Sequence, residues 1–327
     1  MTPARTLATG VGCALAAGLV WGLVFVAPVL LPDYSPAMLA FGRYLAFGLV
    51  ALPLAWHDRK ALSRLTSADW REALALALVG NVLYYLFLSA AIQSAGVPVP
   101  TMIIGTLPVV IAVCSNLSSR EFAWARLAPS LLLIAAGLAC VNAEELRALS
   151  PDASRGALAG GALLALVALA CWTWYPIRNS RWLKANRTVG AGTWATAQGV
   201  ATLPLAVVGM AATLAWTWAF GDGAAQAAGP LGPRPVQYVL LMLAIGLSAS
   251  WLGTLLWNRA SALLPTSLAG QLIVFETLAA LLYGYLHRSE APQPLALAGI
   301  ALLVAGVVGG TRALGRPPDP TQGADAR

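Results

Sequence analysis

Charge is scarce in this chain. Only 10% of its 327 residues are Asp, Glu, Lys or Arg, while 59% are hydrophobic. A soluble domain carries roughly 25% charged residues, so this one has too little charge to coat itself in water. Histidine and cysteine are scarce too. His57 and His287 fall in connections, and Cys13, Cys114, Cys140 and Cys171 lie inside apolar segments without CxxC spacing. That inventory offers no metal site, disulfide framework or cofactor site, and the cysteines read as small packed residues. There is no GxxxxGK[ST] loop to drive an ATP-powered pump. A membrane-embedded enzyme needs a nucleophile–base or metal constellation at depth, and no histidine or aspartate is available there. No repeated ring or filter suggests a channel.

What the chain has instead is long apolar runs. They fall at roughly 7–31, 36–56, 72–93, 98–117, 127–143, 157–177, 189–215, 238–258, 265–286 and 295–311. Each approaches the ~20 residues that span a bilayer as a helix. The first is too long for the apolar core of a secretory signal, about 7–15 residues. The expected fold is an all-α polytopic membrane protein of ten transmembrane helices.

An even number of spans puts both termini on one side. With the termini cytoplasmic, the inner connections hold 15 of the 20 basic residues: Arg5, Arg59, Lys60, Arg64, Arg71, Arg120, Arg126, Arg178, Arg181, Lys184, Arg187, Arg259, Arg312, Arg316 and Arg327. The outer connections hold four, namely Arg147, Arg155, Arg234 and Arg288, and Arg43 lies within a span. That bias sets the orientation. It also accounts for the net charge of +7 without nucleic acid, because the basic residues form no stripe. Trp56, Trp70, Trp124 and Trp182 near inner ends, and Trp216 and Trp218 near an outer end, read as interfacial anchors.

The chain repeats itself. "GLVALPLA" at Gly48–Ala55 returns as "GVATLPLA" at Gly199–Ala206, and Trp21 meets Trp172 at the same offset of 151. "SAGVP" (Ser94–Pro98) returns as "SALLP" (Ser261–Pro265), and "AAG" (Ala135–Gly137) as "VAG" (Val304–Gly306), with the offset grown to 167–169. An insertion in the Gly/Pro-rich connection 219–236 explains the growth. The expected organisation is a first five-helix repeat at 1–150, a second at 151–315 and a cytoplasmic tail at 316–327. Five is odd, so the second repeat enters the membrane from the opposite face. Inverted repeats place a substrate site near the midplane, at their interface, and alternate access by rocking one bundle against the other.

Over about 7–311 the chain resembles the drug/metabolite transporter superfamily, specifically its ten-helix EamA-type members. The residues that carry this are Trp21-Gly22 in span 1, Arg43-Tyr44 in span 2, Pro108-Val109 in span 4 and the acidic Glu121 after it. In span 9 "FET" (Phe275–Thr277) stands where the family pattern has Pro, and Glu290 keeps the terminal acid. Within the superfamily the chain looks most like the YddG-type amino-acid exporters. The resemblance implies a secondary transporter of the bacterial inner membrane, exporting amino acids (aromatic or broad range) through a central cavity. It implies a monomer in the lipid bilayer with a small-molecule substrate. The alternative is a proton-coupled exporter of drugs or other small metabolites, with Glu276 as proton carrier.

Intramembrane charges are costly, so Arg43 and Glu276 are the leading site candidates. Counted from Pro36 and Pro265, they reach similar depths, where they could pair or together grip a zwitterion. A helix-bracing Arg43 and a structurally hydrogen-bonded Glu276 are the plainer readings. Tyr44, Asn81, Tyr84, Trp172, Tyr175, Trp251 and Gln271 complete the candidate substrate-binding set. Asn81, Tyr84, Tyr85 and Leu88 share a face of span 3, Ser248, Trp251 and Leu255 one of span 8, and Trp172 and Tyr175 one of span 6. Such faces are either packing or the wall of an aromatic, weakly polar cavity, whose rings suit an ammonium group. Gln271 and Glu276 lie about 140° apart on a helix, so both line one cavity only if it wraps widely around span 9.

Overall fold

In the computed structural model, residues 3–96, 98–147, 154–221, 227, 229–289 and 291–314 are described. The predicted boundary at 150–151, Glu290 and the tail 316–327 lie outside them. Among the described residues there is helix and no strand. Ten helices are long and apolar enough to cross a membrane. They are α1 (Arg5–Leu30), α2 (Pro36–His57), α3 (Ser67–Ala95), α4 (Pro98–Ser119), α5 (Trp124–Ala143), α6 (Arg155–Ala185), α7 (Ala191–Phe220), α8 (Pro235–Leu263), α9 (Thr266–His287) and α10 (Pro294–Arg312).

Local chemistry fixes several of the ends. The Ser35 hydroxyl accepts from the Met38 amide at 3.2 Å, and Pro36 supplies a first residue that needs no hydrogen-bond partner. Thr66 and Asp69 form a reciprocal capping box at the start of α3. Pro53 and Pro204, the prolines of the repeated octets, sit inside α2 and α7. Membrane helices tolerate such prolines because neighbouring groups re-satisfy the freed backbone.

Packing follows the repeat. α1 packs on α8 as α6 packs on α3, and α1 on α9 as α6 on α4. The pairs α2–α7, α4–α9 and α5–α10 map onto themselves when helix n is exchanged with helix n+5. The symmetry reaches single residues. A Cβ on Gly10 would fall against Leu264 near the end of α8, and one on Gly161, its equivalent at the offset of 151, against Ala95 at the end of α3. A Cβ on Gly137 would lie 2.7 Å from the Gly299 carbonyl, and one on Gly306 would lie 3.0 Å from the carbonyl of Ser130, the counterpart of Gly299. The octets meet each other: Gly48 abuts Leu203, and Gly199 abuts Ala51. Small residues let these backbones approach closely. The helix contacts thus keep their pattern when helix n is exchanged with helix n+5.

The helices are also interrupted in matching places. Wide π turns occupy Ala77–Leu83 in α3 and Gly246–Leu252 in α8, equivalent stretches of the two repeats. The hydrogen-bonded run of α4 breaks between Gly105 and Leu107, and that of α9 breaks at the equivalent place, between Leu272 and Val274. π turns concentrate at functional sites.

On the side away from the termini, the bundle is tied shut. The rings of Tyr34 and Tyr238 stack at 4.8 Å, and the Tyr238 hydroxyl donates to the Met38 carbonyl at 2.7 Å. Arg234 pairs with Asp33 at 2.7 Å. Trp216 and Trp218 stay exposed, as interfacial anchors do. Trp182 is a correction to that reading. It stacks on Trp194 and its indole N–H donates to Asp69 at 3.0 Å, so it is packed between α3 and α7 instead.

Candidate functional site

Six helices converge on one small cavity at mid-depth. It is walled by Trp21 and Val24 of α1, Arg43 and Tyr44 of α2, Asn81 and Tyr84 of α3, Trp172 of α6, Ala249, Ser250 and Thr254 of α8, and Glu276 of α9. Its free volume is about 10 Å³, room for about one water. A larger occupant therefore requires the surrounding helices to separate.

Arg43 is held in place from several sides. Its Nε donates to the Ser250 hydroxyl at 2.9 Å, and its guanidinium lies over the rings of Tyr85 at 4.5 Å and Tyr44 at 5.1 Å. Its Nη1 has no hydrogen-bond partner although the residue is only 5% exposed. Glu276 is 4% exposed and its Oε2 is likewise without a partner. The two charges line the same space and do not pair. The Tyr84 hydroxyl and the Trp172 indole N–H are also buried and unpartnered. Buried polar groups are ordinarily hydrogen-bonded, so four such groups around one cavity are an unmet demand.

The two tryptophans of the repeat separate here. Trp21 donates to the Ala249 carbonyl at 2.9 Å, within the π turn of α8. Trp172 makes no equivalent bond. It stacks between Tyr84 at 4.7 Å and Tyr175 at 4.9 Å. One scaffold thus carries a satisfied indole on one side and a free one on the other.

Three candidates from the sequence lie elsewhere. Tyr175 stands behind Trp172, its hydroxyl donating to Gln198 at 2.8 Å. Trp251 does not line the cavity. Its face was drawn with the 3.6-residue period of an α-helix, but the π turn holds one more residue per turn and rotates the phase, bringing Ser250 and Thr254 inward. Gln271 is turned toward Gly310 of α10, because so small a cavity does not span the wide angle between it and Glu276 around the helix. Arg43, Tyr44, Asn81, Tyr84, Trp172 and Glu276 do come together. Ser250 and Thr254 are the lining residues that periodicity missed, hidden by that phase shift. Among the described residues no group of three His, Cys, Asp or Glu side chains could hold a metal ion.

A ten-helix bundle with a small charged, aromatic cavity at its centre suits a membrane transporter. The chain belongs to the EamA-like transporter family, whose model matches residues 8–143. It is 49% identical over 314 residues to the "Inner membrane protein YtfF" of Escherichia coli (strain K12), covering 95% of this chain and 97% of that protein. A solved structure described only as "Crystal structure of protein" shares the fold, with a TM-score of 0.68 at 18% identity over 94% of this chain and 99% of that one.

Proposed function

We propose that this protein exports amino acids, aromatic or broad in range, across the bacterial inner membrane by alternating access. What carries the reading is the pair of unpartnered opposite charges on one cavity, Arg43 and Glu276. An α-amino acid offers both complements: its carboxylate accepts from Arg43 and from the free indole of Trp172, and its ammonium group donates to Glu276. The stacked rings of Tyr84 and Trp172 supply a broad face for side chains of many shapes. The looser resemblance to YddG-type amino-acid exporters points the same way. The inner-membrane relative from Escherichia coli supports the inner membrane as the location. The basic-residue bias supports cytoplasmic termini, and the small apolar-coated bundle supports a monomer in lipid.

The second reading is a proton-coupled exporter of drugs or other small metabolites, favoured by one buried carboxylate facing a cavity. Uptake into proteoliposomes from a panel of labelled amino acids, cationic drugs and sugars separates the two. Amino-acid exchange without a pH gradient supports the first. Drug transport that requires the gradient, with no amino-acid exchange, refutes it.

A further inference from the structure

Below the cavity, toward the side that holds the termini, a line of polar residues continues through the interior. On α8, Ser250, Thr254, Asn258 and Ser261 follow one another at helical spacing, at 2%, 5%, 0% and 0% exposure. Eleven residues at 1.5 Å each carry that stripe about 16 Å. It starts at the cavity wall and ends near the membrane face. α6 answers it: the Asn179 amide donates to Asn258 Oδ1 at 2.8 Å, and the Ser180 hydroxyl lies 2.8 Å from that of Thr266 on α9. So polar a seam is costly to bury in a membrane protein. It is also incomplete, since Asn258 Nδ2 and the Ser261 hydroxyl have no partners.

The seam ends at a clasp. Glu121, in the connection between α4 and α5, accepts from the backbone amides of Thr266 at 3.0 Å and Ser267 at 2.8 Å, the first two residues of α9. Lys184, at the end of α6, lies 3.6 Å from the same carboxylate and donates to the Thr266 hydroxyl at 2.8 Å. One carboxylate thereby joins the connection α4–α5 of the first repeat to α6 and α9 of the second. Burial pushes the Glu121 carboxyl up, but the Ser267 and Thr266 amides and the Lys184 charge outweigh it and hold the group below the usual carboxylate range.

We infer that the seam between α6, α8 and α9 is the closed half of the substrate's route between the cavity and the terminal side, and that Glu121 is the latch that keeps it closed. The seam's hydrogen-bonding side chains suit a small polar solute with its water, and the orphaned groups on Asn258 and Ser261 find partners when it opens. Opening it means parting α6 from α9, and the Glu121 carboxylate spans that gap. The inference rests on the transporter reading for its substrate, though the latch itself can be tested without one.

The test is thiol accessibility in the full chain in inverted membrane vesicles, where the terminal side faces outward. A cysteine replaces Ser261, a near-isosteric change, and a small permanently charged methanethiosulfonate is applied from that side. Modification is measured above the background of the four native cysteines. Ser261→Cys reacts slowly with the latch intact, and adding Glu121→Gln raises the rate about tenfold or more. Ser89→Cys, buried in the opposite half of α3, reports on general loosening. A faster Ser261→Cys reaction with Ser89→Cys unchanged supports the latch. An unchanged Ser261→Cys rate, or equal acceleration at both sites, overturns it. If proteoliposomes then move no amino acid, the transporter's substrate is wrong while the latch stands.

Discussion

Arg43→Gln separates a bracing residue from a substrate-binding one. The side chain makes a charged hydrogen bond to Ser250 and lies over two tyrosine rings. A hydrogen bond to a charged group contributes about 1.5–3 kcal/mol, and a cation–π contact about 0.5–2 kcal/mol. Loss of these should destabilise the detergent-solubilised protein by about 2–4 kcal/mol whatever the substrate is. Tyr85→Leu removes one ring from beneath the guanidinium and leaves the charge, so it should also destabilise, by about 1–3 kcal/mol. Binding distinguishes them. If the free Nη1 meets a carboxylate, Arg43→Gln should weaken an amino acid about ten- to a hundredfold and leave the corresponding decarboxylated amine nearly as it was, since about 1.4 kcal/mol is tenfold. Tyr85→Leu should weaken both alike. The assay is competition by each pair of compounds against a labelled amino acid in proteoliposomes, alongside thermal unfolding. Equal loss of amino acid and amine in Arg43→Gln would show that the arginine only braces helices.

Glu276→Gln keeps the shape of that side chain and removes its charge; amino-acid transport should weaken at every pH, whereas loss of pH-gradient coupling with downhill exchange intact would favour the proton carrier. Gly137→Ala should cost about 1–3 kcal/mol in thermal unfolding because its new Cβ would meet the Gly299 carbonyl at 2.7 Å, while Gly160→Ala, with nothing within 4 Å, should be neutral. The latch carboxyl is held low by the α9 amides and Lys184. Its contribution is therefore fully present above about pH 4.5 and lost as pH falls through its depressed value; the ratio of Ser261→Cys rates with and without Glu121→Gln, in which thiol ionisation cancels, should not vary between about pH 6 and 8, and a change in that ratio across the window would contradict the assignment. For topology, cysteines at Ser63 and Pro230 should react from opposite sides of the membrane, and reaction from one side would remove the ten-span arrangement.

The ten helices were legible because hydropathy reports lipid contact directly, and the structure moves most boundaries by only a few residues. The exceptions are informative. α6 runs on from the expected end at 177 to Ala185, α8 from 258 to Leu263, and α3 begins at Ser67 rather than 72. The added turns of α6 and α8 carry the buried Asn179, Ser180 and Ser261 and the part-buried Lys184, polar groups packed into one seam. A hydropathy window prices each of them as though it faced lipid or water, so their stretches read as connections. Arg43 and Glu276 stand out for the opposite reason: each is a lone charge in apolar surroundings, and its cost is visible without knowing its neighbours. Trp251 failed because periodicity assumes a constant number of residues per turn, which α8 does not keep. Glu121 was noticed only through the family pattern, and nothing in the sequence places it on the first amides of α9, far along the chain.

The two wide turns have a consequence for how this chain tolerates change. In α3 the turn at Ala77–Leu83 holds a residue that an ordinary ladder would have no place for, and α8 holds its counterpart at Gly246–Leu252. Removing any one residue from either turn would close it into an ordinary ladder, leaving the flanking helix in phase and turning residues within the turn by about 100°. Asn81 or Ser250 would then leave the cavity wall with its identity unaltered. A lining side chain within the turn could survive such a deletion as a letter and be lost as a surface. The blueprint of the cavity is thus kept partly in the tally of residues between its walls, where substitution tables do not look.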